Sequence, residues 1–144
     1  RGHLMQSRAS TLTARPPAAA FAFMAHPAND HRWRSHLTSS RGRVTAVGDV
    51  VVQTYTAGAR SKVIELEVTE LMPPEHLVFR VKGPIRARLA YQCRPESGGT
   101  RVSVSLSAEL GGFASLAEGR VETEAAKLTR ADLAALKRVL ESVG

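Results

Sequence analysis

The chain has one cysteine, Cys93, in 144 residues. A lone thiol excludes an internal disulfide framework and a cysteine-built metal site. Long apolar runs are missing as well. The longest uninterrupted stretch, residues 18–25, is far short of the ~20 residues a bilayer span requires. No secretory leader is visible, so the expected compartment is the cytoplasm. A glycine-rich phosphate loop, a paired-carboxylate motif and a serine nucleophile elbow are also absent. Aromatic residues are scarce at 5%, with a single tryptophan. What remains is the balance of a globular chain, 43% hydrophobic and 23% charged. The length fits one domain, placed at residues 5–144. Arg1, Gly2, His3 and Leu4 precede Met5 and read as a cloning remnant.

The net charge is +7, from 20 basic and 13 acidic residues. Sixteen of the basic residues are arginine, and 21 alanines accompany them. That composition fits a GC-rich bacterial genome. A basic excess of this size also suits an anionic partner, provided the charge forms a patch.

Residues 7–15 alternate polar and small side chains and predict a first strand. Pro16 and Pro17 stop it and open a helix over residues 18–24, which Pro27 ends. Asn29 is placed as the N-cap of a second short helix through His31 and Trp33. The middle of the chain is strand. Turn residues fall at Val47-Gly48-Asp49, Ala57-Gly58-Ala59, Met72-Pro73-Pro74-Glu75, Lys82-Gly83-Pro84 and Ser97-Gly98-Gly99. Between them, apolar and polar residues alternate with period two. Ile64, Leu66 and Val68 share a face, as do Leu77, Phe79 and Val81. So do Ala87, Leu89, Tyr91 and Cys93, and Val102, Val104, Leu106, Ala108 and Leu110. Such alternation predicts an antiparallel sheet with one covered and one wet face. Only residues 50–56, where Val50, Val51 and Val52 occupy both faces, leave the facing of Tyr55 open. The end of the chain reads as one long helix. Ser115 and Glu118 form a capping box, Lys137 and Arg138 suit the C-terminal dipole, and Val121, Ala125, Leu128, Asp132, Leu136 and Val139 make a stripe at helical spacing. That stripe must lie on something apolar, and the covered face of the sheet is the candidate.

Four motifs appear in order: Asn29-Asp30-His31-Arg32-Trp33, Glu70-Leu71-Met72-Pro73-Pro74, Gly98-Gly99-Thr100-Arg101-Val102, and Leu133-Ala134-Ala135-Leu136-Lys137 running to Glu141. Together with the element order they resemble the SRPBCC superfamily, the START-type or birch-pollen-allergen-like helix-grip fold, and within it the polyketide cyclase/dehydrase-like family. The resemblance covers residues 7–141. It implies an α+β fold, in which a curved antiparallel sheet of about seven strands wraps a long C-terminal helix, with two short helices after the first strand. It also implies an apolar cavity between sheet and helix, of ~300–1,000 Å³ as ligand sites commonly are. It does not imply one chemistry.

In that cavity the inward-facing residues Trp33, Leu66, Phe79, Leu89, Tyr91, Val104, Leu106, Leu128 and Asp132 are the expected ligand contacts. Tyr91 and Asp132 are the two catalytic candidates. A phenol in an apolar site needs a partner, which a ligand oxygen supplies. A carboxylate on a covered stripe must be paired or protonated, and Arg32 or Arg34 is the expected partner. His26, His31 and His36 recur every five residues, which does not stack them on a helix, so no metal site and no cofactor is expected. Cys93 reads as a small buried hydrophobe. Trp33 reads chiefly as core support.

Three functions compete. The first is a binding module for a hydrophobic small molecule such as a lipid, polyketide or aromatic metabolite. The second is a polyketide cyclase or dehydratase using the same cavity. The third is an interaction protein using Arg80, Arg86, Arg88, Arg94 and Arg101, all on outward positions. Few aromatics interleave these arginines, which disfavours nucleic acid as the partner. A homodimer stays open.

Overall fold

The computed structural model describes residues 3–83, 86–110 and 118–142. One sheet of seven antiparallel strands dominates it: β1 (His3–Thr13), β2 (Leu37–Gly42), β3 (Val50–Ala57), β4 (Arg60–Met72), β5 (His76–Lys82), β6 (Ala87–Glu96) and β7 (Gly99–Leu110). The order across the sheet is β1-β7-β6-β5-β4-β3-β2. Strands β2 to β7 form a meander, and β1 returns to pair with β7. Two α-helices complete the fold, α1 (Pro17–Met24) and α2 (Glu118–Ser142), with a short 3-10 helix, Pro27–Arg32, after α1.

The period-two alternation sets the sheet's faces. Leu66, Val81, Ala87, Ala108 and Met5 form one cross-strand row on the inner face. Leu77, Tyr91, Val104 and Ala9 form another. The outer rows run Arg80, Arg88, Ser107, Gln6 and then Val78, Ala90, Ser105, Arg8. A bulge between Val68 and Glu70 shifts the register of β4. Such an extra residue bends the strand and increases the twist. Glycine has a steric role at one corner. A Cβ on Gly99 would stand 2.1 Å from the Thr13 carbonyl oxygen, so only glycine lets β7 start this close to the end of β1.

Helix α1 opens with proline in its first turn, where the missing N–H has no partner to lose. Ala20, Phe21 and Met24 bury its inner side against β6 and β7. Helix α2 has 25 residues and lies along β1. Leu133, Leu136 and Leu140 carry its buried face.

Several sequence expectations are corrected here. β1 runs from His3 to Thr13 rather than over residues 7–15. Asn29 does not cap the second helix. That position is His26, and the Asn29 amide instead donates to the Phe23 carbonyl at 3.2 Å. The buried stripe of α2 is rotated from the expected one. Leu128 is 40% exposed, whereas Leu133 and Leu140 are buried. Steps of four residues drift around a 3.6-residue helix, so the row 128, 132, 136 crosses the contact line obliquely. Lys137 and Arg138 precede the last turn, which carries no basic residue. Lys137 turns aside to pair with Glu141 at 3.3 Å. Ser115 and the side chains of Leu110 and Val121 lie outside the described residues.

Candidate functional site

The inner face carries a buried polar cluster centred on Arg34. The 3-10 helix delivers it: the Arg34 N–H donates to the Asp30 carbonyl at 2.9 Å. Two residues on, His36 adopts a left-handed φ of 64°, and the chain reverses into β2. The turn points Arg34 inward and lays Ser35 against α2. The Arg34 guanidinium donates to the Tyr91 hydroxyl at 3.0 Å through Nη1 and to the Tyr55 hydroxyl at 3.1 Å through Nη2. Its Nε faces Asp132 Oδ2 at 3.4 Å. The Trp33 ring centre lies 5.5 Å from the guanidinium carbon, a cation–π contact.

Asp132 is held from three directions. Beside Arg34, the Ser35 N–H donates to Oδ1 at 2.9 Å, and the Ser35 hydroxyl donates to the same oxygen. The pairing with an early-chain arginine expected from the sequence is therefore present, through Arg34 rather than Arg32. With two hydrogen bonds on one oxygen and a cation facing the other, Asp132 is a fixed countercharge rather than an open base.

Strand β3 adds the other arm. Val51, Gln53 and Tyr55 share its inner face, which settles the facing of Tyr55. The Tyr55 hydroxyl donates to Gln53 Oε1 at 2.7 Å. Gln53 Nε2 donates to Asp30 Oδ2 at 3.0 Å, as does the Ser40 hydroxyl at 3.0 Å. Burial raises the Asp30 pKa from 3.8 to about 6, against the opposing pull of Ser40, Arg34, Gln53 and His26. Burial also pushes the Tyr91 and Tyr55 phenols above their ordinary range, so both are neutral donors near pH 7. It pushes the Cys93 thiol up to about 12, consistent with an inert side chain packed near Met24.

Counting donors and acceptors shows what the cluster offers. Tyr55 donates to Gln53 and accepts from Arg34. Tyr91 accepts from Arg34 but spends its own proton on no described acceptor. The buried Trp33 Nε1–H has no partner among the described residues. Asp30 Oδ1, at the far end of the Tyr55–Gln53 arm, is a buried atom without a partner as well, so the unspent groups next to Arg34 itself, on Tyr91 and Trp33, are the donors. The Arg34 end of the cluster therefore suits an acceptor oxygen.

The expected contacts divide into groups. Trp33, Phe79 and Tyr91 meet in one aromatic group, with ring centroids 5.6 Å and 5.9 Å from Tyr91. Leu66, Leu89 and Val104 are buried in the core with them. Leu106 is half-buried at the edge of that core. Asp132 joins through Arg34. Leu128 does not join, because its side chain faces solvent. Sequence reasoning missed Gln53, Ser35, Ser40 and Asp30 as members of the site. Gln53 was within reach, since placing Val51 inward carries Gln53 and Tyr55 with it.

Five pockets among the described residues hold between about 290 and 560 Å³. Two open on the outer face, one lies where β5 ends and β6 begins and is lined by residues of both parities, including Val81, Ala87 and Ala108, one lies beside α1 and one by the β4–β5 turn. The expected space between sheet and α2 is not among these five. Three groups of inner-face residues there, Ile64 on β4, Val81 with Ala87, and Leu106 on β7, are only half-buried. They pack against the edge of the core in three neighbouring rows, beside the buried Leu66, Leu89 and Ala108. No group of three His, Cys, Asp or Glu side chains suited to a metal ion occurs among the described residues. No described helix is long and apolar enough to cross a membrane.

An open antiparallel sheet against a long C-terminal helix is the helix-grip architecture of the SRPBCC superfamily. The chain belongs to the polyketide cyclase/dehydrase and lipid transport family, whose model matches residues 6–141. Among solved structures it is similar to TTHA0849 from Thermus thermophilus, at 17% identity and a TM-score of 0.81, covering 96% of this chain and 99% of that one. It also resembles the di-domain ARO/CYC BexL of the BE-7585A biosynthetic pathway, at 18% identity and a TM-score of 0.76. There 94% of this chain matches 49% of the other, so the chain spans about half of that protein. Ara h 8.0201 matches at 11% identity and a TM-score of 0.68, over 97% of this chain and 99% of that one. Identities this low establish the shared fold. Among curated proteins, none matches the sequence.

Proposed function

We propose that the chain binds a small, largely apolar molecule carrying an acceptor oxygen, in the class of lipids, polyketides and aromatic metabolites. The apolar part lies along Ile64, Val81, Ala87 and Leu106. The oxygen, a carbonyl or carboxylate, meets the donors beside Arg34. The observation that carries this reading is the donor-rich cluster: a charged guanidinium on the inner face, flanked by the uncommitted protons of Tyr91 and Trp33. An oxygen bonded there gains charge-assisted hydrogen bonds in a low-dielectric setting. Holding is favoured over proton transfer. Tyr91 is pushed up in pKa, which weakens it as an acid, and Asp132 is fully engaged.

Trp33 is the only tryptophan and packs on Tyr91, so its fluorescence reports on the site. Titration with a long-chain fatty acid is expected to shift the emission, and the alkane of equal length is expected to bind more weakly. Tyr91→Phe keeps the ring and removes one donor. It is expected to weaken the acid ~5–10-fold, the value of one hydrogen bond, and to leave the alkane unchanged. Equal affinity for acid and alkane in the wild-type chain would refute the reading.

A further inference from the structure

The outer face holds a second candidate site, unconnected with the Arg34 cluster. Strand β7 places only serines on this face in its central rows, at Ser103, Ser105 and Ser107. Short side chains there leave a trough between taller neighbours. Arg8 on β1 stands opposite Ser105, and Arg88 on β6 stands opposite Ser107. The two arginines lie on a diagonal, two strand spacings apart and two residues out of step, roughly 12 Å between Cα positions, with the serine hydroxyls between them. The trough holds about 370 Å³, with Gln6 completing its polar rim and no carboxylate in its lining.

The arginines of this face differ in how far they are neutralised. Arg80 pairs with Glu67, and Arg101 pairs with Glu96 at 2.8 Å. Arg8 has no hydrogen-bond or ion-pair partner among the described residues. Arg88 reaches only Glu70, at 3.9 Å with both side chains exposed, a pairing of little energetic weight. The other oxygen of Glu70 lies 3.1 Å from His76 Nε2 without forming a hydrogen bond to it. Positive charge is therefore left over at the trough, in a chain of net charge +7.

We propose that this trough binds a phosphate group. Two guanidinium forks from opposite walls and hydroxyl donors from the floor match the tetrahedral array of acceptor oxygens that a phosphate presents. A carboxylate, planar and singly charged, would satisfy one arginine and leave the other. The phosphate has two sources, a soluble phosphate compound or a phospholipid headgroup, and the chemistry of the site is the same for both.

The test uses the intact chain at low ionic strength. Pyrophosphate is titrated calorimetrically as the soluble probe. Flotation with phosphatidylcholine vesicles, with and without phosphatidic acid, probes the headgroup. Arg8→Ala and Arg88→Ala are each expected to weaken binding ~10-fold or more, the range for a charge-assisted hydrogen bond. Arg60→Ala removes the same charge from the exposed β3–β4 hairpin and is expected to change binding less than ~2-fold. Ser105→Asp, which puts an anion on the floor and leaves both arginines in place, is expected to abolish it. Binding from either source with this pattern of variants supports the site. Equal weakening by all three arginine variants, binding that survives Ser105→Asp, or no response to either probe would overturn it. A fatty-acid titration followed by Trp33 fluorescence is expected to be the same in all four variants, so failure here is distinguishable from failure of the inner-face site.

Discussion

Beneath α1 the sheet's inner face is closed. Cys93 and Val102 on β6 and β7 are fully buried, and Phe21 and Met24 from α1, Trp33, and Leu136 and Leu140 from α2 share their core. Further along the same face and with the same parity, Ile64, Val81, Ala87 and Leu106 are only half-buried. The Arg34 cluster stands between the two regions. Alternation makes both apolar, but in the second region the coverage is incomplete, with half-buried residues standing beside the buried Leu66, Leu89 and Ala108. An apolar strip left partly uncovered beside a set of unspent donors is chemically unlike either a closed core or an ordinary surface. It is the seat we propose for the ligand.

The contrast between the two regions is most vulnerable at their boundary. Asp132→Leu removes the carboxylate facing Arg34 and the acceptor of the Ser35 N–H. An uncompensated buried guanidinium is expected to cost ~3–5 kcal/mol in chemical denaturation. Asp132→Asn, which keeps an acceptor oxygen of nearly the same shape, is expected to cost much less and to leave ligand affinity within a few-fold. In the closed region, Leu136→Ala opens a cavity under a fully buried side chain and is expected to cost ~2–5 kcal/mol by the same measurement.

Next in size is a pH effect through Asp30. Its carboxyl is raised from 3.8 to about 6 in the folded chain, so folding favours the protonated form. The stabilisation is fully present below about pH 4 and is lost as pH rises through about 6. The displacement is equivalent to at most ~3 kcal/mol. Denaturation midpoints measured between pH 4 and 7 should fall with rising pH, with other carboxylates adding their own slopes. Asp30→Asn should flatten this component of the slope. An unchanged profile in that variant would mean that Asp30 titrates normally.

A smaller loss is expected in the half-open region. Leu106→Ala gives up only part of a side chain's burial and is expected to cost ~1 kcal/mol or less. If the strip is a ligand seat, the same change should weaken fatty-acid binding several-fold. Stability and affinity would then separate at Leu106, whereas at Leu136 both would fall together. A loss at Leu106 as large as at Leu136 would erase the distinction between the two regions.

Much of the fold was legible because period-two alternation is a local property. The parity of Leu66, Phe79, Tyr91 and Val104 needs no knowledge of which strand pairs with which. The turn residues marked the hairpins for the same reason. The site was half legible. Tyr91 and Asp132 stood out as polar groups on faces that had to be covered, and Arg34 was one of two early-chain arginines expected to pair with the latter. Ser35 and Ser40 were not readable as site members, because nothing local distinguishes a serine that meets a carboxylate across the fold from one that meets water. Leu128 failed because the rotation of a helix about its axis is set by what it packs on, and several stripes of α2 are apolar enough to serve.

Strand parity, the order of elements, the excess of positive charge and the family to which these belong are written in residue type and spacing along the chain. Folding in three dimensions chose which stripe of α2 turns inward, which arginine meets Asp132, and which part of one apolar face stays half-covered. It also set Arg8 and Arg88 on either side of a floor of serines. Each of these depends on contacts between residues far apart in the chain, made by packing and register. Asp132 and Ser35 are separated by 97 residues, and only the packing of α2 along β1 and the turn at His36 bring them within hydrogen-bonding distance.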